Sequence, residues 1–118
     1  MFKNFKIITA MAFAVVAAGF SSSANAGVQG DTITLGSALS LTGKYATNGL
    51  HTQRGYDFAV DRINSTGGVM VGGKSYKLTV KYYDDESTPA RGAQLAERLI
   101  QQDGVEFMLG PYSSGMTK

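Results

Sequence analysis

From residue 33 onward the chain alternates between the period of a strand and the period of a helix, and that order leaves few folds open. Residues 33–39, Ile33 to Leu39, form a short apolar run bounded by turn residues, as expected of a strand with both faces covered. Over residues 48–65 the pattern becomes helical: Gly55, Tyr56, Ala59, Val60 and Ile63 share one face, and Gly67 and Gly68 end it. Gly72, Gly73 and Lys74 between β-prone residues predict a tight hairpin. Residues 76–83 then alternate, with Tyr76, Leu78, Val80 and Tyr82 set against Lys77, Thr79, Lys81 and Tyr83. Two lysines on the wetter side suit an edge strand.

Thr88 and Pro89 open a second helix, expected to run to about residue 103 with Ala93, Ala96, Leu99 and Ile100 as its apolar stripe. Gly104 ends it, and residues 105–109 read as a third strand, apolar enough to be central. Strands alternating with helices imply an α/β fold with a doubly wound parallel sheet and right-handed crossovers. An edge-like second strand beside two buried ones predicts the spatial order 2-1-3. Three strands and two helices cover too little of such a sheet, and the helix that should follow the third strand would begin where the sequence stops. The chain is therefore expected to be the incomplete N-terminal part of a longer protein.

The first 26 residues obey different rules. Lys3 and Lys6 precede an uncharged apolar run over residues 7–20, and Ala24, Asn25 and Ala26 close it with the small-x-small pattern of a cleaved signal peptide. The run is shorter than the ~20 residues that span a bilayer, so export without a membrane anchor is expected. The whole sequence has 11 basic and 9 acidic residues. Removal of residues 1–26 takes two lysines with it and leaves a formally neutral chain of residues 27–118, with no basic run to attract nucleic acid. There are no cysteines, which excludes disulfides, thiolate metal sites, a Cys nucleophile and lipid attachment at the cleavage point. The one histidine, His51, cannot build a His-rich metal centre.

The local motifs mostly exclude chemistry. Gly43 and Lys44 follow the first strand, but Ala38 and Tyr45 stand where a phosphate loop needs glycine and a serine or threonine. No Gly-x-Gly-x-x-Gly joins the first strand to its helix. His51 could approach Ser113 at the strand C-termini, yet the strand-turn-helix elbow of a serine hydrolase is missing, so it reads as a surface or packing residue. Asp84, Asp85 and Glu86 match no calcium-loop spacing and read as a solvated acidic turn before a helix N-terminus, with no metal bound. No cofactor is expected, and no catalysis.

Tyr112, Ser113 and Ser114 carry the most information. They follow the third strand and open the presumed next helix, where unpaired N–H groups and the helix dipole favour a carboxylate or other anion. On physical grounds the serines serve equally well as plain helix caps. Tyr45 and Asn48, in the loop and helix start after the first strand, lie across the same crevice and could close over a ligand.

Several stretches together resemble leucine/isoleucine/valine-type periplasmic binding proteins. They are Gly30 to Gly36, then Leu39 to Gly43 with Tyr45, Ala46 and Gly49; Arg54 to Asp57 with Arg62 to Asn64 and Gly67–Gly68; Tyr83 to Asp85 with Pro89 and Ala93; and Gly110 to Gly115. The resemblance covers residues 30–118. It implies a lobe of a type I periplasmic binding protein, the amino-acid-binding component of an ABC importer, working in the periplasm with a free amino acid as ligand and a membrane permease as partner. It also implies two lobes joined by a hinge, Ser114 on the ligand's α-carboxylate with Ser113 beside it, and ligand side-chain contact at the position before Gly49. That position is commonly tyrosine in the family; Asn48 in its place points to a ligand more polar than a purely aliphatic amino acid. A ligand sensor of the same fold, or a secreted α/β hydrolase, are the competing expectations.

Overall fold

The computed structural model describes residues 27–117, so the predicted signal segment lies outside the described residues. In chain order the elements are β1 (Val28–Gln29), β2 (Thr32–Leu39), α1 (Ala46–Ser65), β3 (Val69–Val71), β4 (Lys74–Asp84), α2 (Pro89–Gln101) and β5 (Phe107–Met108). The long parallel ladder joins β2 to β4 from Thr32↔Lys77 to Leu39↔Asp84. On its other side β2 pairs in parallel with β5, Leu35 opposite Phe107 and Gly36 opposite Met108. The parallel order is therefore β4-β2-β5, the expected 2-1-3 arrangement.

Alternation along β4 places the helices. Tyr82 donates its hydroxyl proton to Asp57 of α1 at 2.8 Å. The neighbouring residues Lys81 and Tyr83 bond Asp103, just past α2, at 2.7 and 2.8 Å. Successive strand residues face opposite sides, so α1 and α2 cover opposite faces of the sheet. The core lies mainly between β2 and α2, where Ala38, Leu95, Leu99 and Val105 are buried, and Leu39, the next residue of β2, is buried on the opposite side of the strand. Asn64 of α1 clasps the β4 backbone from the other face, donating to the Leu78 carbonyl and accepting from the Leu78 N–H, both at 2.8 Å.

The hairpin forms as predicted. Gly72 and Gly73 turn with φ 56° and 80°, joining antiparallel β3 and β4. Among the described residues the outer side of β4 has no strand partner beyond Tyr76, so there the two lysines lie on an edge.

Four expectations need correction. The strand-and-helix pattern read from sequence starts at residue 33, but residues 28–29 already form a strand, β1, paired antiparallel with β2. The third strand is shorter than residues 105–109: β5 spans Phe107–Met108, pairs with β2 among the described residues, and exposes both its side chains. On α2 the buried positions are Leu95 and Leu99, while Ala93 and Ile100 are exposed. Those two line a mostly apolar groove of about 350 Å³ with Ala96, Met108, Pro111 and Met116. The stripe chosen from sequence thus straddles the buried face and this open groove. On α1, Tyr56, Val60 and Ile63 are half-buried as expected, but Gly55 and Ala59 face solvent.

Candidate functional site

Because β2, β4 and β5 run in parallel, the loops at their C-terminal ends gather along one edge of the sheet. The chain leaves β2 for a neighbour on one side and later returns to the other, so β2 and β5 flank the point where strand order reverses. Ligand crevices open at such points in α/β sheets.

The loop after β2 ends in Tyr45, the residue capping α1, and Asn48 stands in the first turn of that helix. The chain after β5 is held down by the Leu109 N–H on the Gly36 carbonyl at 2.8 Å. It is held again by the Tyr56 hydroxyl, which donates to the Gly110 carbonyl at 3.0 Å. Tyr112 then projects across to α1. Asn48 donates its amide proton to the Tyr112 hydroxyl at 2.7 Å, and the Tyr45 and Tyr112 rings meet edge-on with centroids 5.9 Å apart. Lys44 lies over the Tyr45 ring, 4.7 Å from its centroid. Three of the five residues singled out in the sequence, Tyr45, Asn48 and Tyr112, form one polar-aromatic wall.

The two serines follow in the same loop but differ from each other. Ser114 is exposed. Ser113 adopts a left-handed backbone, φ 81°, and its hydroxyl is buried without a hydrogen-bond partner. Residues 113–117, the last described, make a turn closed by the Met116 N–H on the Ser113 carbonyl at 3.2 Å and the Thr117 N–H on the Ser114 carbonyl at 3.4 Å. Within the described residues the anion-attracting feature is a set of turn amides. Among the described residues, the N–H groups of Ser113, Ser114 and Gly115 have no acceptor. His51 is exposed on α1 and bonds no serine among the described residues.

The acidic turn was misread in the sequence. Asp85 is fully buried, and Asp84 is half-buried; only Glu86 is solvated. Asp84 Oδ1 accepts the N–H groups of Leu41, Thr42 and Glu86 at 2.9, 3.1 and 2.9 Å, and Oδ2 accepts the Thr42 hydroxyl at 2.6 Å. Burial pushes this carboxyl upward, but the Thr42 hydroxyl and the three amides outweigh it and hold it below the ordinary carboxylate value. These acids tie the β2 and β4 loops together. No group of acids and histidines among the described residues could hold a metal ion. The missed signal was local: an Asp whose side chain caps the amide two residues on is an Asx turn, which Asp85 and Ser87 form.

A family model described as periplasmic binding protein matches residues 32–118. The chain belongs to the periplasmic binding protein family. It is similar to "Leu/Ile/Val-binding protein homolog 3" of Brucella melitensis, 34% identical over 113 residues, which cover 96% of this chain and 28% of that one. A leucine-, isoleucine-, valine-, threonine- and alanine-binding protein of Pseudomonas aeruginosa is 32% identical over 89% of this chain and 26% of its own length. Among solved structures, the branched-chain amino acid transporter substrate-binding protein LivJ of Streptococcus pneumoniae, in complex with isoleucine, superposes with a TM-score of 0.65 at 35% identity, over 73% of this chain and 24% of that one. The chain therefore spans about a quarter of the length of these periplasmic binding proteins. Its α/β sheet with parallel strands matches theirs, as the sequence resemblance implied.

Proposed function

We propose that this chain supplies the first-lobe side of an amino-acid cleft in the substrate-binding component of an ABC-type importer. The observation that carries the reading is the meeting of Tyr45 and Asn48 with Tyr112 at the reversal point of the sheet, beside turn amides that lack acceptors. A free amino acid offers the complementary chemistry. Its α-carboxylate accepts hydrogen bonds from the Ser114 hydroxyl and the nearby N–H groups, each charge-assisted and shorter than a neutral bond. Its side chain would lie against the tyrosine rings. Asn48 commits one amide proton to Tyr112 and leaves its other N–H as donor and its carbonyl oxygen as acceptor, so the wall suits a branched-chain ligand or a somewhat more polar one.

The remainder of the reading is that a second lobe supplies the ammonium contacts, that closure buries the ligand, and that the closed form docks on a membrane permease after export to the periplasm. No bond in the ligand is made or broken. Transport is supported over sensing by the Streptococcus relative, which is named as the substrate-binding protein of a branched-chain amino acid transporter.

Thermal denaturation of the full-length protein with individual free amino acids tests this. One or a few of them should raise Tm, as binding to the folded state alone requires. Ser114→Ala should remove most of that shift, with a loss of about ten-fold or more in affinity for a lost charge-assisted bond. A full shift in Ser114→Ala would overturn the carboxylate assignment.

A further inference from the structure

The segment that presents Tyr45 and Asn48 lies outside the sheet ladder, so something else must fix it. Asp85 does so from below. Its side chain is 0% exposed. Its Oδ1 accepts the Ser40 hydroxyl at 2.7 Å and the Ser87 N–H at 2.8 Å. Ser40 is equally buried, and its carbonyl lies where a side chain on Gly49 would have to go, so α1 rests directly on it next to Asn48.

Ser87 makes the second link. Its hydroxyl donates to the Thr42 carbonyl at 2.7 Å and accepts the Tyr45 N–H at 3.0 Å. One buried hydroxyl therefore spans the loop, with both its donor and its acceptor capacity engaged. The turn that aims it is unusual: Glu86 and Ser87 are consecutive non-glycine residues in the left-handed region, with φ 54° and 59°. Such conformations persist only where the surroundings over-determine them. Here Asp84 and Asp85 hold the Glu86 and Ser87 amides. Gly43 lies directly against the turn; a Cβ there would sit 2.7 Å from the Ser87 hydroxyl oxygen.

We propose that Asp85 and Ser87 are positioning residues for the ligand site, the buried carboxylate setting Ser40 and Ser87, and the Ser87 hydroxyl holding the Thr42–Tyr45 loop so that Tyr45 and Asn48 face Tyr112. Neither residue touches the ligand. The proposal rests on the amino-acid-site reading given above, and the two fail separately.

The experiment uses the full-length protein, with amide hydrogen exchange of the Tyr45 N–H and calorimetric affinity for L-isoleucine and L-threonine as readouts. Ser87→Gly deletes the hydroxyl while easing the left-handed backbone, so the turn itself is retained. The expected result is Tyr45 exchange about ten-fold faster, β2 amides unchanged, and affinity lower by a similar factor. Glu86→Gly eases the backbone equally but keeps the hydroxyl, and should match wild type in both readouts. Asp85→Asn retains the Oδ1 acceptor and should stay near wild type, whereas Asp85→Ala should follow Ser87→Gly. Wild-type exchange at Tyr45 in Ser87→Gly overturns the proposal. So does faster exchange spread equally over β2, and so does faster Tyr45 exchange with unchanged affinity. If neither amino acid binds the wild type, or Ser114→Ala binds as wild type does, it is the amino-acid-site reading that fails, and Tyr45 exchange alone decides whether Ser87 holds the loop.

Discussion

Asp84 ends β4 and takes four hydrogen bonds from the loop after β2 and from its own turn, three of them from backbone amides. These donors favour the ionised form, so the folded carboxyl titrates below 3.8 although burial opposes it. A group whose folded pKa is depressed stabilises the fold above its unfolded pKa, and that contribution fades as pH falls through the folded value. Asp103 acts in the same sense, held down by the hydrogen bonds from Lys81 and Tyr83. Thermal melts followed from neutral pH into acid should therefore show Tm declining below about pH 4. Asp84→Asn keeps the acceptor geometry but removes the titration, so its decline should be shallower than wild type. Parallel acid limbs for the two proteins would show that Asp84 contributes nothing there.

Between elements, glycine marks the places where backbones touch, and two positions make the contrast. Gly49 in α1 packs against the Ser40 carbonyl so closely that any Cβ would overlap it, and the contact is backbone against backbone. Gly49→Ala must push α1 off the end of β2, at roughly 3 kcal/mol as a severe case of overpacking. Gly73 in the hairpin has open space around its Cβ position and only its φ of 80° to satisfy. Gly73→Ala should cost about 1–2 kcal/mol, the left-handed penalty alone. Chemical denaturation of both variants checks the order; equal losses would mean that α1 does not rest on Ser40 as described.

The same elements show where sequence reading succeeds. Period and turn chemistry located β2, both helices, the hairpin and the edge character of β4, because those features depend on neighbours in the chain. The apolar content of residues 105–109 predicts a longer strand than forms, because strand length depends on the partner available, here β2 over Phe107 and Met108. Asp85 reads as solvated because carboxylates usually are; its Asx turn to Ser87 is local and legible, but its buried partner Ser40 lies 45 residues away and no local pattern encodes that contact. Ser113 and Ser114 were paired in the sequence, but a left-handed φ at Ser113 separates a buried hydroxyl from an exposed one.

For the molecule as a whole, the described residues form one α/β unit that spans about a quarter of each relative. On the function proposed above, such a unit offers one wall of a cleft. Residues 27–118 alone are therefore expected to bind free amino acids far more weakly than the full-length protein does, because closure of two lobes is what removes a bound zwitterion from water. Titration of both proteins by calorimetry compares them; equal affinity would mean that a single lobe suffices.

The central claim concerns how that wall meets its solute, and a crystal structure of the complete polypeptide with its bound amino acid addresses it most directly. The account predicts the α-carboxylate within hydrogen-bond distance of the Ser114 hydroxyl and the adjoining turn amides, with the side chain against Tyr45, Asn48 and Tyr112. An amino acid seated elsewhere, with Ser114 open to solvent, would contradict it.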